Sequence, residues 1–318
     1  MRKKQVIKII LLVLVTRLGL LYLRQLRGIS WETDIDGYAE YAQALFSGHL
    51  LDSSIRSYIF PGFPLIIGLL HYIIPNWTLA SLLIVVLGDI VGYLAIASLF
   101  SYPLAVFLLF LPPALLFATS RIYSEGPTLA ILFGSLWLWI HDRKTTSWIL
   151  AGFGCLIRTI SLTLMVTYLV LELKERNYKK LFYGLLFGLI PILGLLIYNT
   201  YFWGNPLHNL EVYRVGGNAL VPIYTLFDDI ARLIRDHGYR TLVSGLFYLV
   251  FTTMGLLLLW IKRKINRLFQ ICFMWAIFQY AFLLTIGPAP IMENYGRYAV
   301  FLYPLVFFAF KQFLPFSP

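Results

Sequence analysis

Apolar runs of about 20 residues recur from one end of the chain to the other, the length of α-helix that crosses a bilayer core. Short basic clusters punctuate them: Arg2-Lys3-Lys4, then His141-Asp142-Arg143-Lys144, then Lys174 to Lys180 with Arg176, then Lys262-Arg263-Lys264 with Arg267. Cytoplasmic flanks of membrane helices collect Lys and Arg, so with all four clusters on one side each interval holds an even number of crossings. Five runs precede Arg143, starting near Val6, Ile59, Leu79, Pro103 and Pro127. Five is odd, so one of them does not cross. The weakest is Tyr58 to Pro75, with Pro61 and Pro64 at its head; it is expected as an interfacial or re-entrant helix inside a first outer loop of about residues 29–77.

The stretch between Arg143 and Lys174 is interrupted at Arg158, and parity predicts two short helices with Arg158 at the outer turn. A pair follows, about Leu181 to Phe202 and Thr241 to Ile261, joined by a second outer loop of about residues 203–240. Two more, about Leu268 to Ile286 and Tyr298 to Phe313, complete an all-α, polytopic transmembrane bundle of about ten spans. It is expected to be one domain over residues 1–318, with both termini cytoplasmic. The first run follows basic residues and precedes no small-residue cleavage site, so it reads as a retained span.

A composition of 59% hydrophobic and 13% charged residues agrees with that class. The net charge of +11 does not call for nucleic acid, because all ten lysines fall on the cytoplasmic side of this topology or at the cytoplasmic end of a span. The outer side carries arginine without lysine, and the planar guanidinium fork suits an anion held in fixed orientation. Cys155 and Cys272 sit in apolar runs, where a thiol is a small hydrophobe. The five histidines show no ligand spacing. Asp34 and Asp36 could hold a divalent cation through oxygen ligands, so a metal is possible and is not expected to be required. With two cysteines and no long outer domain, the chain reads as a bacterial or archaeal plasma-membrane protein.

The outer loops predict two helices along the membrane surface, one from Ile35, Tyr38, Ala42 and Leu45, the other from Ile223, Leu226, Ile230, Leu233 and Ile234 after Pro222. Just before the first lie Trp31-Glu32-Thr33-Asp34-Ile35-Asp36-Gly37-Tyr38, carboxylates at a membrane exit. Further on come Tyr58-Ile59-Phe60-Pro61-Gly62-Phe63-Pro64-Leu65, Ser120-Arg121-Ile122-Tyr123-Ser124-Glu125-Gly126-Pro127, Gly152 to Arg158, and Tyr295-Gly296-Arg297-Tyr298 with Pro304.

In their order and common outer placement these segments resemble the GT-C class of integral-membrane glycosyltransferases, which draw a sugar from a polyprenyl-phosphate donor. The first segment is similar to that class's first-loop acidic motif with its surface helix. The second resembles the proline-rich segment of protein mannosyltransferases, aminoarabinose transferases and glycolipid-anchor mannosyltransferases. The third and fourth look like the second acidic position and a basic turn, and the last resembles an Arg-Tyr and proline pattern near the final helices. The chain departs from some members in lacking a large C-terminal soluble domain, and from others in lacking a clear Asp-Glu pair.

The resemblance implies an inverting transfer of a hexose, mannose foremost, to a lipid, polymer or protein acceptor on the outer face. It implies Asp34 as general base with Asp36 second, Glu125 orienting the acceptor or a metal, and Arg158 and Arg297 on the lipid phosphate; Arg121, Arg56 and Tyr295 are weaker candidates. Four of these residues also have a structural explanation. Thr33 or Asp34 can cap the surface helix, Glu125 can complement a helix dipole, Arg297 can anchor at the interface, and Arg158 can snorkel, although a buried arginine is normally paired or functional. Asp89 is expected to pair with Arg17 as helix glue. Two other functions stay open: a transporter or flippase of lipid-linked sugars, and a non-catalytic subunit of envelope assembly.

Overall fold

A computed structural model describes residues 1–26, 28, 37–49, 59–110, 122–215, 239–285 and 299–310. Among them all regular structure is helical. The described residues fall into two compact units, Met1–Leu109 with Leu116–Val212, and Phe110–Leu115 with Tyr213–Pro318.

The first unit contains α1 (Lys3–Leu26), α2 (Tyr38–Ser47), α3 (Gly62–His71), α4 (Trp77–Leu99), most of α5 (Tyr102–Phe110), α6 (Glu125–Ile140), α7 (Lys144–Cys155), α8 (Ser161–Lys174), α9 (Tyr178–Trp203) and the start of α10 (His208–Val215). Helices α1, α4 and α9 are long and apolar enough to cross a bilayer. Only 17% of the apolar window is buried in α1 and in α9, and Val15, Leu18, Phe182, Ile190 and Ile197 stand exposed along them. Leaving such a side chain in water rather than burying it costs about 1.5 to 3 kcal/mol, so these faces require an apolar solvent. The ten-residue α3, within the proline-headed run, is about 15 Å long, half a hydrocarbon core. Its neighbour α2 begins at Tyr38 and ends in a reverse turn, with Gly48 at φ 79° and the His49 N–H donating to Ala44 O at 3.0 Å, a helix stop that glycine favours.

The expected break at Arg158 is present. Two helices of 12 and 14 residues, α7 and α8, flank a turn that holds it. At their other ends, tight turns place Asp142 (φ 60°) and Arg176 (φ 54°) in the left-handed region. The Arg143 N–H reaches Leu138 O at 2.8 Å and the Asn177 N–H reaches Glu172 O at 3.0 Å, closing both turns without glycine. Lys144 Nζ lies 2.8 Å from Glu172 Oε1 and 3.2 Å from Glu175 Oε2, and Lys180 lies 3.7 Å from Asp142. The basic clusters around Lys144 and Lys180 are thereby joined by ion pairs.

Packing between α7 and α9 is set by backbone proximity. A Cβ on Gly152 would overlap Gly188 O, and one on Gly184 would overlap the Trp148 indole; small residues let helices approach this closely. Trp148 is fully buried and meets Tyr168 edge-on at 5.6 Å, and the Tyr168 hydroxyl joins Ser135 at 2.9 Å. The short α10 was not anticipated from the sequence; its Asn209 side chain donates to Ile59 O at 3.0 Å. The predicted surface helix at 223–234 lies outside the described residues.

The second unit contains α11 (Tyr239–Lys262), α12 (Arg267–Thr285), a 3-10 turn (Ala299–Phe301) and α13 (Tyr303–Phe310). Phe251 stacks on Phe310 at 5.3 Å, Phe269 on Phe308 at 4.4 Å, and Lys262 Nζ donates to Ala309 O at 2.6 Å, placing a cation at a helix C-terminus.

Gly152→Val is expected to lower stability by about 1 to 3 kcal/mol or more, since overpacking here meets backbone rather than a movable side chain. Gly134→Ala, whose Cβ would meet only Leu150 Cδ2 at 3.7 Å, is expected to be neutral or mildly stabilising. Thermal unfolding of both variants in nanodiscs checks the contrast.

Candidate functional site

The first turn of α6 gathers several of the segments singled out in the sequence. Its residues Glu125-Gly126-Pro127 suit a helix start, because an acid there faces the positive end of the dipole and a first-turn proline loses no intrahelical bond. The turn sits directly against α4: a Cβ on Gly88 would lie 2.5 Å from Pro127 N and 2.6 Å from Gly126 C, and one on Gly126 would lie 2.7 Å from Asp89 Oδ1. Only glycines permit this contact.

Glu125 is buried, with 2% of its side chain exposed, and Arg158 Nη1 lies 2.7 Å from its Oε1. The turn that offers Arg158 is fixed on several sides. The Arg158 N–H donates to Gly154 O at 2.8 Å and its carbonyl accepts from the Ser161 N–H at 3.1 Å. From α3, the Gly62 N–H donates to Leu156 O at 2.8 Å, with Gly62 so close that a Cβ would sit 2.6 Å from Leu156 Cβ. Ile157 is buried in one cluster with Phe63, Ile67 and Ile122. The proline-headed segment thus lies against the basic turn.

The first-loop helix reaches the same place. Tyr38, at the start of α2, brings its hydroxyl to 3.2 Å from Ser124 Oγ and packs edge-on against Phe63 at 5.0 Å. One turn further on, Tyr41 shares a hydrogen bond of 2.8 Å with Tyr198 of α9. Burial, then the neighbouring Tyr198, raises the Tyr41 hydroxyl far above the ordinary tyrosine range, so this anchor stays protonated under working conditions.

Comparison with protein-family models, curated proteins and solved structures found no match.

The structure thus brings together two of the residues nominated from sequence, Glu125 and Arg158, as an ion pair. Asp34, Asp36, Arg56, Arg121, Tyr295 and Arg297 lie outside the described residues. Among the described residues no group of three His, Cys, Asp or Glu side chains could hold a metal ion; the Asp34 and Asp36 pair is not among them. Arg17 and Asp89 do pair as expected: Arg17 Nε donates to Asp89 Oδ2 at 2.7 Å, Nη2 contacts the same oxygen, and both residues are buried. Sequence reasoning missed the Tyr38–Ser124 and Gly62–Leu156 contacts, which depend on tertiary geometry. It also missed the buried partnership of Lys144 with Glu172, although a glutamate late in an apolar run and a lysine opening the preceding helix are a legible signal.

Breaking one member of a buried pair strands the other charge. Glu125→Gln and Arg158→Met are therefore each expected to destabilise the protein, while the double variant loses less than their sum, with a coupling of about 0.5 to 3 kcal/mol. A double-mutant cycle on thermal unfolding measures it.

Proposed function

We propose that the chain is a multi-pass glycosyltransferase of the GT-C kind, with about ten spans and its site on the outer face. It would move a hexose, mannose foremost, from a polyprenyl-phosphate donor to a glycolipid, polymer or protein acceptor. The observation that carries the reading is the docking of α2, which directly follows Asp34 and Asp36 in sequence, through Tyr38 onto Ser124, beside the Glu125–Arg158 pair. An acid-bearing first loop, a second acidic position and a basic turn are the parts such a reaction needs close together.

In this reading Asp34, with Asp36 as the alternative, accepts the acceptor hydroxyl's proton as the new bond forms at the anomeric carbon. The bond from that carbon to the lipid phosphate breaks with inversion, and the phosphate leaves with the electron pair. Arg158, with Arg121 and Arg56 as weaker candidates, offsets the charge that builds on it, a role for which the resemblance also nominates Arg297. A guanidinium carries five N–H donors in a planar fork, so Arg158 can remain on Glu125 while serving a phosphate. Glu125 holds Arg158 and orients the acceptor. A second reading, transport of a lipid-linked sugar, draws on the Arg17–Asp89 pair near the middle of two long helices, where charges in a membrane usually mark a pathway.

Purified protein in nanodiscs, given a panel of polyprenyl-phosphate sugars with acceptors, is expected to release polyprenyl phosphate. Asp34→Asn is expected to abolish that release. Intact donors throughout would remove the transferase reading, and vesicle uptake of the lipid-linked sugar would then decide for transport. Release surviving in the variant would move the base to Asp36 or Glu125.

Topology has its own check. Cys155 and Cys272 are both buried, so labelling of the native thiols is expected to be low. An impermeant maleimide applied to intact cells is expected to label His49→Cys and to reach Asp142→Cys only after the membrane is opened; the reverse pattern would invert the bundle.

A further inference from the structure

Arg17 and Asp89 satisfy each other, the ordinary work of a buried ion pair between two helices. Their surroundings carry more. Both guanidinium contacts go to Asp89 Oδ2, while Oδ1 has no hydrogen-bond partner and faces Gly126, where a Cβ would stand 2.7 Å away. Gly126 is bonded to Glu125, so Asp89 abuts the residue next to the carboxylate that Arg158 holds. Gly88 grips the same turn through the backbone. A carboxylate oxygen aimed at a helix's first turn is favoured by the amides there, and its charge bears on any acid that the turn carries.

We propose that Arg17–Asp89 is a positioning pair for Glu125. Arg17 fixes Asp89, Asp89 repels the Glu125 carboxylate away from α4 and onto Arg158, and the guanidinium is thereby held in one orientation for the phosphate of the donor. The first helix of the chain is then part of the site's machinery without touching substrate. This role rests on the transferase reading above.

The reversed pair Arg17→Asp/Asp89→Arg separates positioning from glue, because it restores the ion pair but puts a cation beside Glu125 in competition with Arg158. Melting temperature, kcat and donor KM are measured in nanodiscs for wild type, Asp89→Asn and the reversed pair. The expected result is a melting temperature lowered in Asp89→Asn and recovered in the reversed pair. Meanwhile kcat stays down about 10- to 100-fold in both, the cost of a small misplacement, and KM stays within about twofold. A reversed pair that recovers kcat along with stability would show glue alone and overturn the proposal. If the reversed pair does not fold, Asp89→Asn decides, and a wild-type kcat in it overturns the proposal. A wild type that turns over no donor removes the transferase reading and this role with it, whereas an active wild type with indifferent variants removes only the role.

Discussion

A glutamate with 2% of its side chain exposed, inside a bundle this apolar, keeps its charge only where a cation is delivered to it. That requirement at Glu125 organises much of the first unit. Arg158 is the cation, and it can arrive because the chain breaks a helix into α7 and α8 and turns between them. The turn keeps its shape because α3 donates a backbone hydrogen bond to Leu156 and buries Phe63 in one cluster with Ile157. Glu125 itself is placed by glycines, since α4 meets the first turn of α6 with no side chain between them. One ion pair thus draws on α3, α4, α6, α7 and α8 together, and on α2 through Tyr38 and Ser124.

The same economy of charge governs the other ends of α6 to α8. Lys144 serves two glutamates, one of them fully buried, and sits 4.8 Å over the Trp139 ring. Two charged clusters therefore hold these helices at opposite ends, while the middle is hydroxyl and aromatic, with Ser135, Ser147, Tyr168 and Trp148 interlocked. A helix group fastened at both ends is a rigid support for groups carried on its turns, which a site needs if a guanidinium is to meet a phosphate in one geometry.

Much of this architecture was legible in the residues, and the reason is physical. Arg158 interrupts an apolar stretch that basic clusters bracket on both sides, and only two helices with a turn between them reconcile those facts; the structure has them. The proline-headed run stood out as the weakest of the early runs, and its helix, α3, has ten residues. The partnership of Arg17 with Asp89 followed from opposite charges isolated in apolar runs. The pairing of Glu125 with Arg158 did not follow: both were nominated for chemistry, but a sequence does not say that two residues 33 positions apart face each other across one turn. The α2 and α3 contacts were hidden for the same reason, being made by a hydroxyl and a backbone amide that carry no distinctive pattern. Among the described residues three helices meet both the length and the apolarity of a span; Gly62–His71 and Glu125–Ile140 are apolar but shorter, and the run between Arg143 and Lys174 is divided between α7 and α8.

That division has a consequence for where a substrate would be met. At 1.5 Å per residue, α7 and α8 are about 18 and 21 Å long, against a hydrocarbon core of about 30 Å. Neither helix alone reaches across such a core, so the turn that carries Arg158 caps a short hairpin and does not lie along the flank of a long helix. In the transferase proposed above, the phosphate of a lipid-linked donor would then be met at a helix junction and not along a span.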